Sequence, residues 1–93
     1  MAHPEAQETT VAGQTRWVLS RIDQLLAEAG SSRRKLLSVS VWLADITTFA
    51  EMNAAWDQWI PADATPVRAT VEARLALPEF LVEIAAIAAA TDL

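Results

Sequence analysis

Cysteine is absent from the sequence. Disulfides, thiolate metal sites and cysteine nucleophiles are thereby excluded, and cysteine usage carries no message about the redox compartment. His3 is the only histidine and stands close to the amino terminus, a position that argues against a histidine-based zinc site or a Ser-His-Asp triad. Neither a metal nor a cofactor is expected. Positive charge is scarce: seven Lys and Arg against twelve Asp and Glu leave a net charge of −5 at pH 7. Arg33, Arg34 and Lys35 form the only basic cluster, too small for the electrostatic footprint of a nucleic-acid binder. Long apolar runs are missing too. None reaches membrane-spanning length, and the first residues lack a basic start followed by an apolar core. The expectation is a soluble cytoplasmic protein with no nucleic-acid and no membrane partner.

Apolar residues, in contrast, are abundant. They make up 53% of the 93 residues, while only 20% are charged. A chain of this length forms one domain, and a domain so small has much surface for its volume. Part of the apolar excess is therefore expected to cover a subunit interface.

Residues 1–8 are polar, contain Pro4 and read as a flexible lead-in to a domain spanning 9–93. Thr9 or Thr10 is placed to N-cap a helix whose apolar stripe is Val11, Val18, Ile22, Leu25, Leu26 and Ala29. Gly30, just past that stripe, is a C′ stop. After the connection Ser31–Lys35, Leu37, Val39 and Val41 alternate with Ser38, Ser40 and Trp42, so Leu36–Leu43 reads as a strand with the β-branched side better buried. Thr48-Phe49-Ala50-Glu51 has the capping-box pattern and opens a second helix, which carries Phe49, Met52, Trp56, Trp59 and Ile60 on one side with Asn53 between them. Pro61 stops it.

A loop then leads to Thr65-Pro66-Val67-Arg68-Ala69-Thr70-Val71-Glu72, a second strand running to about Leu75. Its period-2 alternation gives one apolar and one polar side, and Arg68 shares its side with Thr70. A guanidinium held on a strand can grip a carboxylate through two parallel hydrogen bonds; a solvated arginine on an exposed strand face fits the spacing as well. Leu77-Pro78-Glu79 reads as a turn. The last run, 81–90, is open between a helix favoured by its alanines and a buried strand of Val82, Ile84 and Ile87. Helix, strand, helix, strand and a final element together predict an α+β fold, helices layered on one face of a mixed sheet.

These pieces resemble, in collinear order over roughly 80 residues, the RidA/YjgF family of reactive-intermediate (enamine/imine) deaminases. The resemblance runs through Val11-Ala12-Gly13-Gln14-Thr15-Arg16, Leu25-Leu26-Ala27-Glu28-Ala29-Gly30-Ser31, Val41-Trp42-Leu43-Ala44-Asp45, Phe49-Ala50-Glu51-Met52-Asn53-Ala54-Ala55-Trp56, Pro66-Val67-Arg68-Ala69-Thr70-Val71 and Val82-Glu83-Ile84. It implies a mixed sheet with two helices on one side, a final run that is a strand, and a homotrimer with ligand sites in the clefts between subunits. It also implies two further strands ahead of the first helix, with Gly-Pro-Tyr-Ser-type and Ser-Gly-Gln-type segments that nothing here matches, so the family sheet is expected to be truncated at its amino-terminal side.

The implied reaction is hydrolysis of a 2-imino acid, or its enamine tautomer, to a 2-oxo acid and ammonia. By resemblance Arg68 clamps the substrate carboxylate and Glu83 orients the attacking water. Asn53 and Thr70 stand at substrate-binding positions, Thr70 where relatives often have cysteine. Plainer roles stay open: a surface carboxylate for Glu83, helix-to-sheet bonding for Asn53, strand formation for Thr70. Trp42, Trp56 and Trp59 read as core or interface aromatics, since no basic groove accompanies them. A non-catalytic trimer that binds small carboxylates is the alternative function. RNA cleavage or translation inhibition, as reported for some relatives, fits the acidic charge poorly.

Overall fold

The computed structural model describes residues 9–90; His3 and the 1–8 lead-in lie outside them. Helix α1 is Val11–Glu28. Strand β1 is Leu36–Leu43, helix α2 Phe49–Trp59, strand β2 Val67–Glu72 and strand β3 Val82–Ala88. Short 3-10 turns, Arg33–Lys35 and Ile46–Thr48, lead into β1 and α2. The sheet order is β2-β1-β3, with β1 parallel to β2 and antiparallel to β3. A parallel pair needs a crossover, and α2 supplies it. Both helices lie on one face, where Val18, Leu19, Ile22, Met52 and Trp56 close over Val39, Val41, Leu43, Val82 and Ile84. The expected α+β architecture is therefore observed, and the alanine-rich last run is a strand: Val82 and Ile84 are buried in the core beside β1.

Local chemistry explains the element ends. Thr10 caps α1, its Oγ1 accepting the Gly13 N–H at 3.0 Å, and Gly30 closes it with φ 77°, a conformation that glycine adopts without steric cost. The stripe on α1 is broader than its apolar spacing predicts. Leu19, Gln14 and Thr15 are buried with Val18 and Ile22, while Leu25 stands out in solvent.

Three expectations are corrected. Leu37 does not share the buried side of β1, because the register with β3 shifts between Leu36 and Ser38; this bulge turns Leu36 inward and leaves Leu37 exposed. The capping box at Thr48 does not form. Thr48 Oγ1 donates to the Asp45 carbonyl at 2.6 Å, and Glu51 instead accepts the Ala12 N–H of α1 at 2.9 Å. The carboxylate thus serves the amino end of the neighbouring helix, where orphan amides and the helix dipole favour an anion. Strand β2 ends at Glu72, not near Leu75. There the Glu72 carboxylate turns away to accept the Ile46 N–H at 3.0 Å, although Ala73 N still donates to Leu43 O at 2.9 Å.

Arg33 staples the far end of the helix pair. Its guanidinium forms a fork on Asp23 of α1, with Nε to Oδ1 at 3.1 Å and Nη2 to Oδ2. Its Nη1 donates to the Trp59 carbonyl at 2.7 Å, satisfying an orphan C=O at the end of α2. The Trp59 indole N–H donates to the same aspartate at 2.8 Å, and the guanidinium carbon lies 5.0 Å from the Trp59 ring centroid. This fixes where α2 stops and so where the loop to β2 begins.

Candidate functional site

The strand that carries Arg68 is oriented by its partner. In the parallel register Val39 pairs with Arg68, Val41 with Thr70 and Leu43 with Glu72. Paired residues of neighbouring strands share a face, and Val39, Val41 and Leu43 are the core residues of β1. The polar side of β2 therefore faces the helices, and its apolar side, Val67, Ala69 and Val71, faces away from them. Arg68 is half-buried, not a solvated arginine on an open face.

Two rings of α2 lie over the guanidinium. The Arg68 carbon Cζ is 5.1 Å from the centroid of Trp56 and 5.6 Å from that of Phe49, within cation–π range. Phe49, Asn53 and Trp56 follow at i, i+4 and i+7, one helical face, so Asn53 stands between the two rings along α2. Its amide donates to Asp57 at 3.3 Å, a long bond on the exposed side. Arg68 Nη1 and Thr70 Oγ1 are both shielded from solvent, and neither has a hydrogen-bond partner among the described residues. Two such groups, two residues apart on one strand face, are costly unless an acceptor reaches them. A carboxylate matches both: its oxygens accept from a guanidinium and from a hydroxyl.

Glu83 is placed elsewhere. It pairs with Trp42, on the helix-free face, so within one chain the sheet separates it from Arg68. The structure brings together Arg68, Thr70 and the helix face bearing Asn53; it does not bring Glu83 to them. That face also carries an apolar patch, with Val67 75%, Ile87 64%, Leu37 56% and Val71 49% exposed. Sequence reasoning missed the role of Phe49 and Trp56 as a roof over Arg68. The signal available was their seven-residue spacing about Asn53.

A cavity of about 590 Å³ lies away from Arg68, between the end of β1 and the 72–80 segment, and is lined by Glu72, Arg74, Leu77 and Phe80 among others. Arg74 is its single cation and lies exposed, so the buried unpartnered pair on β2 remains the better candidate. No group of three or more His, Cys, Asp or Glu among the described residues could hold a metal ion. No helix among them is long and apolar enough to cross a membrane.

The family profile described as Endoribonuclease L-PSP matches residues 2–90. The chain belongs to this family, which includes the YjgF and RutC proteins. Among YjgF/RutC relatives, a RutC family protein of Haemophilus influenzae is 48% identical over 75 residues, 81% of this chain and 65% of the relative. The chain thus spans just under two thirds of that relative's length. YoaB of Escherichia coli K12, another RutC family protein, is 42% identical over 86 residues, covering 92% of this chain and 75% of the relative. The crystal structure of NMB1025, a YjgF family member from Neisseria meningitidis, superposes with a TM-score of 0.95 at 45% identity, covering all of this chain and 76% of that one.

Proposed function

We propose that the protein hydrolyses small 2-imino acids to 2-oxo acids and ammonia in a cytoplasmic setting, as a homotrimer whose sites are completed by a second copy. The observation that carries this reading is the shielded, unpartnered pair Arg68 Nη1 and Thr70 Oγ1, which suits a substrate carboxylate. In the reaction, water adds to the C=N carbon and gives one proton to the nitrogen, forming a carbinolamine; its hydroxyl proton then passes to the amine as the C–N bond breaks, releasing ammonia and leaving the 2-oxo acid. Arg68 and Thr70 hold the carboxylate, Asn53 braces the site from α2, and Glu83 orients the water and relays its proton. Glu83 shares the helix-free face with the exposed apolar patch. That patch is what an adjoining copy would cover, and β2 lies at an edge of the sheet, so a carboxylate of an adjoining copy that reaches round this edge would serve Arg68. Residues 9–93 form the domain that does this.

A second reading, a trimer that binds small carboxylates without turning them over, is favoured by the separation of Glu83 from Arg68 within one chain. RNA cleavage, which the family description names, is not adopted: the net charge of −5 disfavours a polyanionic partner. The test is ammonia release from 2-iminopropanoate or 2-iminobutanoate generated in place, alongside calorimetry with 2-oxo acids. Arg68→Ala should lower turnover by about 100-fold or more. Binding without turnover in the unaltered protein selects the second reading, and full activity in the variant overturns both roles of Arg68.

A further inference from the structure

Gln14 is a polar side chain placed where an apolar one would pack. It is 2% exposed, on the face of α1 that carries Val11 and Val18 into the core. Burying an amide there is unfavourable unless its donor and acceptor are both satisfied. Both are, by one short stretch of backbone: Nε2 donates to the Glu79 carbonyl at 2.9 Å, and Oε1 accepts the Leu81 N–H at 2.8 Å. A primary amide that donates to one residue's C=O and accepts the N–H of the residue two further on imitates a neighbouring strand.

Among the described residues β3 has no strand on its outer side, and Gln14 stands in for one just where the strand begins. Leu81 is held from the other side as well, its carbonyl accepting the Ala44 N–H at 3.1 Å. Val82 follows, fully buried, and then Glu83, opposite Trp42. Leu81, the residue just before β3, is thus gripped between α1 and the end of β1, two positions ahead of Glu83.

We propose that Gln14 is a positioning residue for Glu83, fixing the start of β3 so that this carboxylate is held at the height the attacking water requires. The proposal rests on the reading of Glu83 as the water-orienting group. Gln14 reaches no substrate itself, and Arg68, on the far strand of the sheet, is outside its grip.

The test uses the full chain with Gln14→Met, which keeps the volume and loses both bonds, and Gln14→Glu, which keeps the acceptor and sets a second oxygen against the Glu79 carbonyl. Ammonia release from 2-iminopropanoate should show kcat lowered about 10- to 100-fold, with KM changed by less than about twofold. In hydrogen exchange, the Leu81 amide should lose protection in Gln14→Met, which removes its acceptor, while the amides of Val39 and Val41 keep theirs. A kcat within twofold of wild type, or kcat and KM worsening together alongside a uniform loss of protection, overturns the proposal. Absence of turnover in the unaltered protein sinks the deaminase reading and with it the catalytic role. The exchange arm then decides the clamp alone: a protected Leu81 amide in Gln14→Met refutes it, and a selectively exposed one upholds it.

Discussion

Replacing Thr70 by valine should make the protein more stable and a poorer binder of small acids. The hydroxyl of Thr70 is shielded from solvent and has no hydrogen-bond partner among the described residues, so its desolvation is borne there with no bond in return. Valine keeps the β-branch and nearly the volume, so strand propensity and packing hardly change. Removing an orphan buried hydroxyl returns about 1–3 kcal/mol. For a domain of this size that amounts to a rise in Tm of about 4 °C or more, measured at fixed protein concentration. Thr15→Val is the control: its equally buried hydroxyl has an acceptor, Val11 O at 2.7 Å, so no gain is expected. A 2-oxo acid should raise the Tm of the unaltered protein, and its Kd should weaken about tenfold in Thr70→Val as one charge-assisted bond is lost. A Thr70→Val protein less stable than wild type, or one that binds the acid equally well, refutes the claim that this hydroxyl waits for a ligand.

Three further outcomes follow from the same geometry. Glu51→Ala should cost about 0.5–2 kcal/mol in urea unfolding, as a lost helix cap does, and should speed amide exchange at Ala12, the residue it caps from α2. Asp45 is held below its ordinary carboxylate pKa by hydrogen bonds from the Thr47 side chain and backbone, and Asp63 by its hydrogen bond with Arg34 and then the charge of that arginine. Each contributes stability that is present above the unfolded-state pKa and lost as pH falls through the depressed folded value, so Asp45→Asn with Asp63→Asn should flatten the acid limb of a Tm-against-pH curve. Ile87→Asp, on the exposed apolar face, should shift sedimentation from an assembled species to monomer with helical circular dichroism retained; an unchanged sedimentation coefficient would remove that face from the interface.

Much of the framework could be read from the residues. Val39 and Val41 alternating with Ser38, Ser40 and Trp42 marked β1, and the Thr9-Thr10 pair and Gly30 marked the ends of α1, because these cues act through the backbone within a few residues. What escaped depended on distant partners. The alternation in β2 was plain, but which side turns inward depends on the parallel pairing that sets Arg68 beside Val39. Leu37 points outward because of a bulge across from β3, and Glu51 caps a helix whose amide lies 39 residues away in the chain. The site was legible to the same degree: Arg68 and Thr70 share a side by periodicity alone, whereas the rings above them and the opposite placement of Glu83 appear only once the sheet is assembled.

The Arg33 staple carries a consequence for the order in which the molecule assembles. Its ion pair with Asp23 closes a span of only 10 residues, an inexpensive loop that can form early. With that contact in place, the same guanidinium presents a flat cationic surface on which Trp59, 26 residues downstream, can settle. Capture of the indole then sets the far end of the crossover before the parallel strand pair, the slow non-local step in such a topology, has to close. One arginine thereby divides a long chain excursion into two shorter ones, so its removal should slow refolding more than it speeds unfolding.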